Sequence, residues 1–181
     1  MNQPVSIELL ADHRELLPLL QRWFEAEWPS YYGPNGERDA GEDLRAFANR
    51  GSLPIGVVAL RHGVACGVAA LKRESIASRR HLSPWAAAGL VLLVERRKGI
   101  GSLLLGTLEG EAHRLGFPFI YCGTGTAHTL LRSRAWEFME WVAQDGQSLG
   151  IYRKALSARH PTENVSHFAD AGRQIREDVW A

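Results

Sequence analysis

The sequence predicts a single-domain protein built around a mixed α/β sheet. The chain has 181 residues, which fits one domain, and 45% of them are hydrophobic, which is enough for a sizeable core. Strand-like apolar segments alternate along it with segments whose apolar residues recur at helical spacing. The pattern contains no internal repeat, and the composition changes only once, after Leu156. These observations together favour an α/β domain followed by a short extension.

The first half of the chain is predicted to form a strand, a helix and a β-hairpin. Residues 5–10 (VSIELL) are expected to form the first strand. A helix is expected over 15–28, where apolar side chains recur at helical spacing: Leu16, Leu17, Leu20, Trp23 and Phe24. Residues 53–60 and 64–72 are expected to pair as a hairpin, because Arg61, His62 and Gly63 provide a short turn that ends in glycine.

The second half continues the alternation. Residues 86–93 are almost entirely apolar, as in a strand that is buried on both faces. The helix predicted over 100–115 ends before Gly116, and its inner side is expected to carry Leu103, Leu104, Leu108 and Leu115. A short strand (119–122), a short helix (127–134) and two paired strands (137–143 and 148–154) complete the predicted domain.

Charge and cysteine content exclude several classes of protein. The 21 Lys and Arg residues nearly balance 20 Asp and Glu, which argues against wholesale binding to nucleic acid or to an acidic membrane. Cys66 and Cys122 lie in apolar segments without CxxC spacing, so neither a disulfide framework nor a zinc site is expected. A cytoplasmic location is expected, because the N-terminus does not resemble a signal peptide and no apolar run is long enough to span a membrane.

The segment RRKGIGS, residues 96–102, predicts an anion site. It follows a buried strand and precedes a helix, so its backbone N–H groups and the helix dipole both favour negative charge. Gly99 and Gly101 allow an anion to approach the backbone, and Arg96, Arg97 and Lys98 add charge at the rim. A diphosphate is the expected ligand, although neither a Walker loop nor a dinucleotide fingerprint is present. The alternative is a solvated basic turn before a helix that begins with glycine.

The segment also resembles a known family. Arg96, Gly99 and Gly101 match the [QR]xxGx[GA] signature of the GNAT superfamily of N-acetyltransferases. Residues 84–102 and 120–137 resemble, without a gap, the PWLAxVYVxPxYRGxGIGS and LYLYTPDxxxFYRRLGWE patterns of a bacterial subgroup. The resemblance covers most of residues 5–156 in family order. It implies a GNAT domain over residues 1–156.

The resemblance implies a fold, a cosubstrate and a reaction. The sheet should be largely antiparallel, flanked by helices and splayed at its central strands to admit CoA. The protein should transfer the acetyl group of acetyl-CoA directly to an amine, without a metal. Contacts to acetyl-CoA should come from the central strand and from the glycine loop, that is, from Gly89, Leu90, Val91, Arg96, Arg97, Lys98, Gly99, Ile100, Gly101 and Ser102.

One departure from the family pattern concerns catalysis. Leu131 stands where the family has a tyrosine that often protonates the departing thiolate, and leucine cannot donate a proton. Glu74 and His128 are therefore the candidates for proton transfer. Each has a structural alternative, because Glu74 fits a solvated loop acid and His128 fits a surface or packing histidine. The rival function is a non-catalytic module that binds acetyl-CoA or CoA as a sensor or interaction domain.

Four aromatic residues are candidates for an acceptor pocket: Trp28, Tyr31, Tyr32 and Trp85. Core packing explains the tryptophans equally well. The sequence leaves the acceptor open among a small amine, a polycation such as an aminoglycoside and a peptide N-terminus.

The extension, residues 157–181, is predicted to contain a short amphipathic helix. Val165, Phe168, Ile175 and Val179 recur at helical spacing in an otherwise polar stretch. Such a stripe must cover something, either the chain's own domain or a second copy in a homodimer.

Overall fold

The computed structural model describes residues 4–156 and 179–180, and one eight-stranded sheet organises them. The strands are β1 (Val5–Leu9), β2 (Ile55–Arg61), β3 (Val64–Lys72), β4 (Trp85–Val91), β5 (Phe119–Thr124), β6 (Glu137–Gln144), β7 (Gln147–Ala155) and β8 (Val179–Trp180). Seven of them follow the order β1-β2-β3-β4-β5-β7-β6, and β8 pairs with β4. All pairs are antiparallel except β4 with β5.

Helices cover both faces of the sheet, which is why its central strands are apolar throughout. The helices are α1 (Leu17–Glu27), α2 (Pro29–Tyr32), α3 (Ala40–Phe47), α4 (Ile100–Arg114) and α5 (His128–Ser133). The core on one face is formed by α4 and α5, and the core on the other face by α1, α2 and α3. Strands β2, β3 and β4 are buried along nearly their whole length, whereas β1 alternates between half-buried and exposed residues. None of the described helices is long and apolar enough to cross a membrane.

The predicted fold class is confirmed, because the sheet is mixed, largely antiparallel and flanked by helices. The predicted strands and helices lie within a few residues of the observed ones. Analysis of the residues did not predict α3, whose first turn is polar and is capped by Asp39, a side chain that accepts a hydrogen bond from the Glu42 N–H.

Two of the finer predictions were wrong. Leu103 was expected on the inner side of α4, yet its side chain is 46% exposed, and Leu105 is buried instead. Val179 was expected in a helical stripe, but it lies in a strand, because its backbone pairs with Leu90 of β4. The rest of the predicted tail helix, including Val165, lies outside the described residues.

Two adjacent leucines of α4 give a matched test of this packing. Leu104→Ala should lower the free energy of unfolding by about 2–5 kcal/mol, because the side chain is fully buried and its removal leaves a cavity. Leu103→Ala should cost less than about 1 kcal/mol, because much of that side chain is already in water. Urea denaturation measures both, and equal losses would contradict the observed orientation of α4.

Candidate functional site

The centre of the site is an irregularity in β4. Ala88 and Gly89 stand opposite a single residue of β3, Ala69, because the register shifts between Val68 and Ala70. Ala88 has a φ of 53°, in the left-handed region that non-glycine residues rarely adopt. Such a β-bulge bends the strand that carries the extra residue. Strand β4 is therefore directed away from its parallel neighbour.

The bend separates β4 from β5. Among the described residues, Trp85 and Tyr121 are the one pair of the β4–β5 ladder. Beyond this pair the two strands diverge, and we call the opening between residues 87–91 and residues 122–126 the wedge. Gly89 and Leu90, two predicted contacts of the cosubstrate, lie at its β4 edge, and the third, Val91, pairs with Gly67 of β3.

Strand β8 lies inside the wedge. Val179 pairs with Leu90, and Trp180 pairs with Gly89. From the other side, the hydroxyl of Thr126 donates a hydrogen bond to the Val179 carbonyl oxygen at 3.0 Å. The wedge therefore presents groups that hold an extended chain by its backbone. Thr126 was not among the predicted site residues, because nothing in its local pattern separates it from an ordinary loop residue.

The glycine loop leads from β4 into α4. Gly99 is the residue before the helix, with a φ of 82°, and no atom would meet a Cβ there, so backbone conformation rather than space favours glycine. Ile100 and Gly101 are buried in the first turn. The N–H groups of that turn have no partner within the helix, and together with the helix dipole they favour an anion.

The three cations of the loop have different surroundings. The Arg96 Nε donates to the Val91 carbonyl oxygen at 2.9 Å, and its guanidinium is 3.9 Å from the Glu27 carboxylate. The Lys98 ammonium is 3.3 Å from the Glu95 carboxylate, while Arg97 is exposed. Arg96 therefore attaches the loop to the end of β4. This role differs from the rim charge expected from the sequence.

A further cation reaches the start of α4 from α5. Arg134 donates to the Ser102 hydroxyl at 2.9 Å and makes two hydrogen bonds with Glu109, at 3.1 and 2.9 Å. Glu109 also accepts hydrogen bonds from Lys154 at 2.9 Å and from the Trp136 indole at 3.0 Å. Burial alone raises the pKa of the Glu109 carboxyl, but the bonds from Arg134 and Lys154 outweigh it and leave this pKa below its usual range. The cluster fixes the end of α5 against the first half of α4.

His128 lies at the start of α5, where two N–H groups are capped. The Thr124 hydroxyl oxygen accepts from the N–H groups of Thr126 and Ala127, at 3.1 and 2.9 Å. The His128 Nδ1 is 3.0 Å from the hydroxyl oxygen of Tyr152, a buried residue of β7. A hydrogen bond thus joins the His128 imidazole to the Tyr152 phenol. His128 is two residues after Thr126, whose side chain contacts the strand in the wedge.

The position of the family tyrosine is occupied by a core residue. Leu131 is fully buried in the same apolar cluster as Tyr152 and Trp180. Glu74 lies beyond the end of β3, with its side chain 54% exposed and 3.6 Å from Arg80. Its surroundings are those of a solvated loop acid.

Three of the four predicted acceptor aromatics lie together, two on α2 and one, Trp28, at the junction of α1 and α2. Trp28 and Tyr32 pack edge to face, as do Tyr31 and Tyr32, and Tyr31 remains 38% exposed. Trp85 is different, because it is fully buried in a core with Ile76 and donates its indole N–H to the Leu82 carbonyl at 2.7 Å. Trp85 therefore has no surface to offer an acceptor in this structure.

A charged cluster that the sequence did not reveal lies beside these aromatics. The buried Asp43 carboxylate accepts a hydrogen bond from the Tyr32 hydroxyl at 2.8 Å and pairs with Arg38. Burial, followed by the charge of Asp43, raises the pKa of Tyr32 well above its usual range. Burial lowers the pKa of Lys72, at the end of β3, while Asp43 partly opposes that shift. Tyr31 and Tyr32 therefore lie close to both a negatively charged side chain, Asp43, and a positively charged one, Arg38.

Glu109 gives a test of the cluster that includes the sign of its pH dependence. Its pKa is lower in the folded than in the unfolded chain, so its contribution to stability is complete above about pH 4.3 and is lost as pH falls through the folded pKa. Glu109→Gln should lower the free energy of unfolding by about 2 kcal/mol at pH 7. Urea denaturation from pH 7 to pH 3 should show this difference shrinking.

The control is Glu137→Gln, because that carboxylate is 72% exposed in its pair with Arg153. Its replacement should cost less than about 1 kcal/mol at any pH. A Glu109→Gln deficit as large at pH 3 as at pH 7 would contradict the electrostatic origin of the stabilisation.

Similar structures exist for this arrangement of elements. No protein-family model matches the sequence, and no curated protein matches it. An aminoglycoside 6′-acetyltransferase type Ii superposes with a TM-score of 0.68 at 17% identity, over 86% of this chain and 99% of that one. An aminoglycoside 6′-N-acetyltransferase complexed with coenzyme A gives 0.66 at 16% identity, over 88% and 100%.

A ribosomal-protein-alanine N-acetyltransferase from Brucella melitensis gives a TM-score of 0.61 at 24% identity, over 84% of this chain and 99% of that one. Coverage is nearly complete on the side of each similar structure, so the shared architecture extends over their whole length. The chain therefore has the fold of these N-acetyltransferases.

Proposed function

We propose that the protein is an acetyl-CoA-dependent N-acetyltransferase that transfers the acetyl group directly to an amine. The observation that carries this proposal is the junction of two features in one segment. The wedge brings the backbone of β4 at Gly89 and Leu90 to a position where an extended chain, here β8, pairs with it, and about ten residues later the same segment forms the glycine loop, whose N–H groups at the start of α4 favour an anion. A cosubstrate with a diphosphate at one end and an amide-containing arm needs both features together.

The residues present fit such a cosubstrate. Its diphosphate would lie against the N–H groups of residues 99–102, with Arg134 held nearby through Ser102. Its arm would pair with Gly89 and Leu90 of β4 and reach the hydroxyl of Thr126, in the manner of an added strand. When bound, acetyl-CoA supplies an acetyl group that is activated as a thioester.

The chain's own groups would do the rest of the chemistry. An amine with a pKa near 10 is mostly protonated at neutral pH, so it must lose a proton to water before its lone pair can form the C–N bond, and it loses a second proton to water once that bond has formed. Main-chain N–H groups of β4 would donate to the thioester carbonyl oxygen as negative charge develops on it, and the C–S bond then breaks. The departing thiolate then takes a proton from water or from His128, since Leu131 has none to give. His128 is the better candidate because Tyr152 holds its Nδ1.

The acceptor is proposed only as an amine. Two of the similar proteins are named for aminoglycosides and one for a ribosomal-protein alanine. The exposed Tyr31 and the neighbouring Arg38, whose guanidinium pairs with the buried Asp43 carboxylate, offer one surface for it. A small amine, a polycation and a peptide N-terminus therefore all belong in the first acceptor panel.

A second function has one observation in its favour. Leu131 removes the usual proton donor and is fully buried, which suits a module that binds CoA without turnover. The two functions differ in whether thiol is released from acetyl-CoA in the presence of an amine.

CoA binding is tested by a matched pair of substitutions on α4. Gly101→Asp should weaken binding by at least about tenfold, because it puts a carboxylate in the first turn where the diphosphate would lie. Gly110→Asp should leave affinity unchanged, because that glycine is exposed in the third turn and a Cβ there meets nothing. Calorimetric titration with CoA measures both. Equal affinities would remove the diphosphate site from the proposal.

Proton donation is tested at positions 131 and 128. Leu131→Tyr should raise the turnover rate about tenfold or more, because it restores a donor at the family position. His128→Ala should lower the rate by about 10–100-fold if the imidazole protonates the thiolate. The assay is thiol release from acetyl-CoA with the acceptor panel. If none of the three proteins releases thiol although each binds CoA, the non-catalytic function replaces the enzyme.

A further inference from the structure

The end of the chain fills the wedge with a strand. Val179 and Trp180 complete the β4 edge that the bulge leaves without a neighbour from β5. The Thr126 hydroxyl holds the Val179 carbonyl from the opposite side. Strand β8 is thus bound along both sides by groups that the proposed function assigns to the arm of CoA.

The side chain of Trp180 makes this fit specific. The indole is 2% exposed and packs on the α4 face with Leu131 and Tyr152. It lies directly over Gly89, since a Cβ added there would be 2.0 Å from its Cε2 atom. Glycine at position 89 is therefore required by the bound indole.

One feature of the Trp180 side chain weakens the docking of β8 in the wedge. The indole N–H of Trp180 is buried, and it has no hydrogen-bond partner within the described part of the chain. A buried donor without a partner loses the hydrogen bond that it makes with water, so the docked strand is less stable than a fully satisfied one. Within the described residues, the pairing of β8 with β4 consists of two residue pairs, which makes this contact short. These properties suit a segment that leaves the wedge when a competitor arrives.

We propose that the C-terminal strand is an internal competitor of acetyl-CoA, and this inference rests on the proposed function. The wedge is a site for an extended chain, and the chain's own Val179–Trp180 segment occupies it in the resting protein. Both ligands use Gly89, Leu90 and Thr126, so only one can be bound at a time. Apparent affinity for CoA is then reduced by the fraction of molecules whose wedge is open.

Removal of the indole is the first test. In the 181-residue chain, Trp180→Ala should lower the Kd for CoA by about tenfold or more, because the open fraction rises. Trp141→Ala is the matched control, since that tryptophan is 56% exposed on β6, and it should leave the Kd unchanged. Calorimetry measures the three Kd values. A synthetic peptide of residues 174–181 should compete with CoA for Trp180→Ala, and the same peptide with alanine at position 180 should not.

The second test follows Trp180 in the wild-type protein. The chain has six tryptophans, so labelling with 5-fluorotryptophan gives six fluorine resonances, and the conservative variant Trp180→Phe identifies the one of interest. Saturating CoA should move that resonance to the position of a solvent-exposed indole.

The outcomes separate this inference from the function on which it rests. Two results would show that β8 does not compete with CoA while leaving the proposed CoA site intact. One is equal binding of CoA by wild type and Trp180→Ala, and the other is binding of CoA to wild type without movement of the Trp180 resonance. The resonance also decides the matter if Trp180→Ala does not fold. If CoA binds to neither protein, the proposed function itself is wrong, and the competition is wrong with it.

Discussion

The bulge at Ala88 and Gly89 determines where every other part of the site can lie. It inserts one extra residue into β4 against β3, and the strand therefore turns away from β5 after the Trp85–Tyr121 pair. A regular strand at this position would continue the parallel ladder and close the sheet. The left-handed backbone of Ala88 costs on the order of 1–3 kcal/mol, a cost that the surrounding buried strands must offset.

The wedge and the glycine loop are physically connected through the end of β4. The Val91 carbonyl oxygen, at the end of the bent strand, accepts the hydrogen bond from Arg96 that holds the loop. The Arg134–Glu109 cluster then attaches α5 to the other side of α4 and brings Thr126 and His128 to the opposite edge of the wedge. A change in the direction of β4 would move both binding features together.

Much of the framework was predictable from the sequence, because its signals are local. A few consecutive residues are enough to recognise the apolar run of β4, the glycine turn between β2 and β3 and the loop at residues 96–102. The bulge does not. In WAAAGLV both faces of the strand are apolar, so no alternation records the register, and the extra residue leaves no trace in the pattern.

The side-chain clusters were missed for a related reason. Glu109, Arg134, Trp136 and Lys154 meet only after helix and strand have packed, and their sequence separations carry no period. Leu103 and Leu105 show the same limit within one helix, since a leucine-rich run does not reveal which side faces the sheet. Val179 was assigned to a helix on spacing alone, and the free edge of β4 overrode that preference.

The occupation of the wedge by β8 and the proposed use of the wedge as a ligand site follow from the same physics. A strand edge in an apolar cleft leaves N–H and C=O groups that are costly without partners, so the cleft binds whatever extended chain can pair with them. The arm of a cosubstrate and a peptide strand both satisfy that requirement. Because Gly89 leaves room above the strand, a large flat side chain such as Trp180 can add buried apolar surface to the backbone pairing. On the proposed function, a site built from backbone edges alone is therefore open to competition from its own chain, and the Thr126 hydroxyl, which donates to the Val179 carbonyl and would donate equally to the arm of CoA, does nothing to favour one occupant over the other.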